Sequence, residues 1–556
     1  MHTETTPAAG VMRRQWLVPA LLALLALIWL VPLGGRSLLH TDEGRYATLS
    51  LNILLSGDWI TPRLNGLLYF EKPALQYWIG ATAFLLLGIN EFTARLWPGL
   101  AGLLTVFAIG FTGWRLWGAQ AGIRALAIAA GTTWIIANSH FLTLDAGLGL
   151  FLTLVLCAML LAERTGISAR TQRNWVWCAW ASMAGAVLSK GLVGVVIPCG
   201  VLVIVCLWQR DAGLLRRMRW LSGTLIFLAI AAPWFVLVSL RNPAFAEFFF
   251  IHEHFARYLT NVHQREGAWW YYLPLLLIGL LPWTSGLPWL LLRRPAAQPS
   301  RQHEALRLLL AWAGFVFIFF SISHSKLPSY ILPMFPALAL LLTERLRHVA
   351  SATALRWHLA FPALLWMAAL VLSPQLQRLM SPGVEPQAVA QLALGLQVGA
   401  VVFLAGAGLA WWWLGQQRLT AALVVVAFAH LVAVLVAMQS YDSYGQAKSA
   451  ARLSKVLRPL ISADTPVFAV QDYDQTLPFY LGRNVILVNY VNEFEFGEKQ
   501  EPQRWIPTLD AFVPRWQALP KAAAYMPLAT LQKLQERGLP MRVVFEDRTR
   551  AVVVKP

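Results

Sequence analysis

The sequence predicts a polytopic α-helical membrane protein of about thirteen transmembrane helices, with further helices on its outer surface and a small C-terminal α/β domain. Three observations carry that prediction. The 556-residue chain is 58% hydrophobic and 13% charged, with a mean hydropathy of +0.56, well outside the range of soluble domains. Apolar runs near the 20 residues needed to cross a bilayer recur from residue 16 to residue 438. Beyond residue 440 the runs stop and short alternating segments begin.

The net charge of +18 falls in short arginine clusters between apolar runs, where membrane orientation explains it, so a nucleic-acid partner is excluded. Cys157, Cys178, Cys199 and Cys206 all lie inside apolar runs, which argues against a disulfide framework or a thiolate metal site.

Taken in order, the apolar runs begin at 16–33, read as a retained first helix with a cytosolic N-terminus behind Arg13 and Arg14. Candidates follow at 73–89, 95–117, 121–137, 145–162, 175–190, 191–208, 219–240, 269–292, 305–322, 329–346, 358–375, 391–414 and 418–438. Successive arginine clusters, from Arg115 with Arg124 to Arg418, are separated by two crossings each. The exception is the start, where three candidates separate Arg13 from Arg115, so one must not cross. Residues 73–89 are short and carry Gln76, Tyr77 and Trp78, and they are expected to lie along the outer surface. The outer face then receives the loop 34–94, the turn at Asp145, the break at Lys190, a flexible loop at 241–268, the turn 323–328 and the tail 440–556. In the tail, VFAV (467–470) and NVILVNY (484–490) read as strands, 528–538 as a helix and the last sixteen residues as a hairpin.

The chemistry-bearing residues gather on that outer face. HTDEGRYATLS (40–50) places His40, Asp42, Glu43 and Arg45 where the first helix leaves the bilayer, although a helix cap explains one carboxylate there equally well. YFEKPAL (69–75) offers Glu71 and Lys72 ahead of Pro73; the lysine can snorkel, or hold a lipid phosphate as a point charge. Asp145 in HFLTLDAG and Lys190 in LSKGLVG stand at helix ends, and SHSKLPSYILP brings Lys326 and Tyr330. The loop 241–268 interleaves aromatics with His252, His254, Arg257 and His263. Its HEH triplet does not put two imidazoles on one helical face, leaving Glu71 with His252 as the pair to examine for a divalent ion such as Zn or Mg; no cofactor is otherwise required. Acids and bases from five distant segments on one face are more than scattered caps predict.

TDEGRYA, FEKPAL, LTLD, SKG, HEHFARY and SKLPSYILP, in that order, resemble the polyprenyl-phosphate-dependent GT-C glycosyltransferases, in particular the bacterial lipid A 4-amino-4-deoxy-L-arabinose transferases. The resemblance covers essentially the whole chain. It implies a GT-C transmembrane domain over 1–439 and a periplasmic domain over 440–556, with membrane lipids around it, an undecaprenyl-phosphate-linked sugar donor and a lipid A acceptor. It further implies an inner-membrane enzyme with its site facing the periplasm, whose product masks lipid A charge and gives polymyxin resistance; a monomer is expected. By resemblance Asp42 and Asp145 are the two outer acids, with Glu43 supporting. Lys72, Arg257 and Tyr330 match the groups that hold the carrier phosphate, and Arg45 and Lys190 join them by charge and location. The family often has a double proline after the lysine, where this chain has Pro73-Ala74.

Two rival readings stand. A protein O-mannosyltransferase would share the first outer loop but need a peptide groove and a base for a hydroxyl acceptor. A lipid flippase or transporter would need ionisable groups along a midplane path rather than at the outer helix ends.

Overall fold

The computed structural model describes residues 8–256, 267–291, 301–379 and 385–556. The chain enters through α1 (Ala8–Leu30) and then builds a compact outer layer from α2 (Asp42–Ser56), the hairpin β1 (Arg63–Leu64) and β2 (Leu67–Leu68), and α3 (Leu75–Leu87). Next come α4 (Glu91–Trp117), α5 (Ala119–Gly131), α6 (Thr133–Ser139), α7 (Asp145–Ala162), α8 (Ala169–Lys190) and α9 (Val193–Gln209). In hydrocarbon every backbone polar group must be satisfied within its own segment, so uninterrupted apolar runs become helices. α4 starts where it does because Asn90 and Thr93 form a reciprocal capping box, with bonds of 3.0 and 3.1 Å.

Among the described residues, eight helices are long and apolar enough to cross a membrane, and the apolar pair Tyr272–Gly279 and Thr284–Leu290 is bent by 110°, the shape of a broken span or a re-entrant loop. The apolar stretches Pro19–Gly34 and Val193–Gln209 are shorter than these spans. α3 is different. Its 13 residues reach only about 20 Å, short of the roughly 30 Å hydrocarbon core. Gln76, Tyr77, Gly80, Ala81 and Phe84 are buried, while Leu85, Leu86 and Leu87 are exposed. Phe84 reaches the C-terminal domain at Phe479, 5.9 Å between rings.

The tail folds into a five-stranded sheet, ordered β4-β3-β5-β7-β6, from β3 (Val467–Val470), β4 (Ile486–Val488), β5 (Ala523–Pro527), β6 (Arg542–Glu546) and β7 (Arg550–Val554). β3 pairs parallel with β4 and β5, and β7 runs antiparallel to β5 and β6. The expected strands, helix and hairpin are present, with the second strand trimmed to three residues. The central strand β5 is the element the sequence reading missed.

The outer layer and the sheet share one hydrophobic core, in which Leu64, Tyr69 and Phe70 pack with Leu453, Phe479 and Leu487. Asn65 makes a reciprocal pair of 2.8 Å bonds with the Val485 backbone, and Glu501 accepts from Arg63 at 2.9 and 3.0 Å. Phe245 and Phe249, from the loop expected to be flexible, are fully buried against Phe70 and Trp234, so this part of the loop is anchored.

Candidate active site

The segment His40–Tyr46 sorts its side chains by helical rotation. Asp42 and Glu43 open α2, where carboxylates favour the positive helix end, and they point about 100° apart. Glu43 turns inward to Arg95, which sits fully buried near the start of α4. Arg95 donates from Nε to Glu43 Oε1 (2.6 Å) and from Nη2 to Oε2 (2.8 Å), and also to the carbonyls of Leu33, Arg36 and Ser37 at 3.0, 2.6 and 2.8 Å. Every donor of the guanidinium fork is used. Glu43 further accepts the Leu39 and Leu142 backbone N–H groups, each at 3.0 Å, which ties the first outer loop to the turn before Asp145. Burial alone would raise the Glu43 pKa, but the Arg95 charge and its hydrogen bonds outweigh burial and hold it down. Gly44 must be glycine because a Cβ there would lie 2.5 Å from the Gln475 and Thr476 backbone.

Asp42 stays half-exposed, with Arg45 Nη1 3.8 Å from its Oδ1. Arg45 in turn lies 3.7 Å from Glu493 Oε1 in the C-terminal domain, and Glu493 also accepts from Gln475. The Tyr69, Tyr77 and Tyr473 hydroxyls, Arg45 Nε and both Glu498 oxygens are buried without a hydrogen-bond partner among the described residues. Buried polar atoms are normally bonded, so a group of orphaned donors and acceptors suits a polar ligand. Burial and then Glu71 push the Tyr69 and Tyr77 phenols far up, keeping them protonated donors. Burial raises Glu493, and burial followed by Glu493 and Glu495 lifts Glu498 to about 7. Lys72 Nζ donates to the Glu71 carbonyl at 2.7 Å.

The second cluster forms around Asp145 at the start of α7. Its Oδ1 accepts from Lys190 and its Oδ2 from Ser329 at 3.0 Å. Lys190 closes α8, where Gly191 takes φ +92° to end the helix, and its ammonium lies 4.6 Å from the Tyr330 ring centroid. The structure thus brings Asp145, Lys190 and Tyr330 together. On the same 321–330 segment Lys326 donates to the Ser323 carbonyl at 2.6 Å and lines an open cavity of about 610 Å³.

Arg257 lies outside the described residues, as does the His252 side chain, so the Glu71–His252 pairing has no geometry here. Among the described residues no three His, Cys, Asp or Glu side chains converge as a metal would require. Sequence reasoning missed Arg95, Gln475, Glu493 and Glu498. Arg95 had a signal, a lone arginine beside an apolar run.

Residues 15–249 match the family described as dolichyl-phosphate-mannose-protein mannosyltransferase, and residues 453–555 match the aminoarabinose transferase C-terminal domain. The undecaprenyl phosphate-alpha-4-amino-4-deoxy-L-arabinose arabinosyl transferase of Pseudomonas aeruginosa UCBPP-PA14 is 34% identical over 410 residues, 72% of each chain. The chain belongs to this aminoarabinosyl transferase family. The second such enzyme of Pseudomonas fluorescens Pf-5 is 33% identical over 338 residues, 60% of this chain and 56% of that relative. The family likeness extends to a solved member over nearly the full length. ArnT from Cupriavidus metallidurans, in its crystal structure bound to undecaprenyl phosphate, is 36% identical, with a TM-score of 0.91 over 97% of this chain and 98% of that one.

Proposed function

We propose that the protein is a glycosyltransferase that moves 4-amino-4-deoxy-L-arabinose from undecaprenyl phosphate to a phosphate of lipid A on the periplasmic face of the inner membrane. The product masks negative charge and gives resistance to polymyxin and other cationic peptides. The observation that carries this reading is the near-complete likeness to an enzyme bound to undecaprenyl phosphate.

In the reaction an acceptor phosphate oxygen attacks the anomeric carbon, and the bond from that carbon to the carrier phosphate breaks with its electron pair on the phosphate. The acceptor is already an anion near neutral pH and the leaving group is acidic, so charge stabilisation matters more than proton transfer. Lys72, Arg45, Lys190 and Arg257 supply positive charge to the carrier phosphate, with Tyr330 beside Lys190. Asp42 faces the positive charge that develops on the sugar. Asp145 orients Lys190, and Glu43, saturated by Arg95, acts as a positioning residue. Glu71 with His252 remains the pair for a divalent ion, tested by chelation followed by readdition of Zn or Mg.

The match of residues 15–249 to the mannosyltransferase family supports a second reading, transfer to a peptide hydroxyl. Mass spectrometry of lipid A from cells with and without the protein separates the two. Addition of one aminoarabinose, dependent on the protein, is expected. Unmodified lipid A together with a glycosylated membrane peptide would replace the first reading by the second.

A further inference from the structure

The end of the helix bundle opposite the candidate site holds another polar cavity, of about 300 Å³. α4 and α7 fix its place. α4 begins at Glu91, close to Arg95, and carries Arg115 in its last turn, and α7 begins at Asp145 and ends beside Glu163. The 18 residues of α7 separate the two ends by about 27 Å, close to the hydrocarbon thickness.

Arg115, Arg164, Arg217 and Arg347 line this cavity, with Glu163 and Glu304 as its acids. Arg217 and Glu163 neutralise each other through bonds of 2.7 and 3.1 Å. Arg347 is held 5.6 Å from the Trp117 ring centroid, and its Nη1 is buried without a hydrogen-bond partner among the described residues. Leu160 and Leu308 make part of the remaining wall apolar.

We propose that this cavity binds the phosphate of an anionic membrane phospholipid. One buried, unpartnered guanidinium nitrogen on Arg347, with arginines from other elements lining the same cavity, is a donor set for a phosphate, and a charge-assisted bond would satisfy that nitrogen. A basic pocket between helix ends at the cytosolic boundary suits a lipid headgroup, with apolar wall for the glycerol and upper acyl chain. The site lies a membrane thickness from the transfer chemistry and is independent of it.

The test uses the full chain purified in detergent and native mass spectrometry with equal concentrations of phosphatidylglycerol and phosphatidylcholine. Wild type should retain phosphatidylglycerol about ten-fold or more over phosphatidylcholine. The Arg164→Gln, Arg347→Gln double variant should lose that preference, whereas Arg170→Gln, in the first turn of α8 and outside the cavity lining, should keep it. If the double variant does not fold, Arg164→Gln alone should give a smaller loss. An unchanged preference in a folded cavity variant would overturn the proposal. So would inorganic phosphate binding in a cavity-dependent way with no lipid preference, which would assign the site to soluble phosphate.

Discussion

Asp42 is 49% exposed and meets Arg45 at 3.8 Å, whereas Glu43, its neighbour, is 4% exposed and accepts four hydrogen bonds. One helical step separates a loosely held acid from a saturated one. The difference teaches how this loop divides its carboxylates: a fully bonded group fixes geometry, and an under-bonded one keeps acceptor capacity to spare. The same contrast appears between Arg95, with every donor used, and Arg45, whose Nε has no partner among the described residues.

The most disruptive way to break this comparison is Arg95→Met. It leaves Glu43 buried without its counter-charge, a loss of about 3 to 5 kcal/mol for a buried pair. Thermal unfolding in detergent should show a large fall in Tm or no folded protein; an unchanged Tm would mean that the pair is no brace. Arg45→Gln should instead leave Tm near wild type and weaken undecaprenyl phosphate binding about ten-fold, for one lost charge-assisted contact. Equal affinity in titrations of the folded variant would remove Arg45 from the carrier site. Ser329→Ala takes one hydrogen bond from Asp145, worth about 1 kcal/mol, so turnover should fall about five-fold at constant Tm. A fall in Tm instead would place Asp145 with Glu43 among the structural acids.

The smallest effect concerns Glu498, whose pKa is raised from 4.5 to about 7. Its folded state binds the proton more tightly than the unfolded chain, so its contribution to stability falls as pH rises between those values and stays low above 7. Glu498→Gln should therefore raise Tm relative to wild type at pH 8 and change it little at pH 5. A gain that is the same at both pH values would show that the carboxylate does not titrate in this window.

The transmembrane architecture was legible because lipid demands apolar length and cytosolic arginines mark the turns. That α3 is too short to span a bilayer agrees with the same parity. β5 was not legible, because AAYMP is alanine-rich and becomes a strand only by lying between β3 and β7. Asp42, Asp145, Lys190 and Tyr330 could be picked out as polar groups at apolar helix ends. Glu493 and Gln475 could not, since they lie more than 400 positions from the segment they meet, and only the shared core between the outer layer and the sheet brings them there.

The most direct test measures turnover per folded molecule for Asp42→Asn, with Glu43→Gln alongside and Tm recorded for both. Asn keeps the size of Asp42 while removing its charge; the N-cap of α2 is Thr41, so no cap bond is lost. The account predicts turnover lower by about a hundred-fold or more for Asp42→Asn at an unchanged Tm, with Glu43→Gln acting mainly through a lowered Tm. Near-wild-type turnover in folded Asp42→Asn would contradict it, leaving both carboxylates as structural groups at a membrane exit.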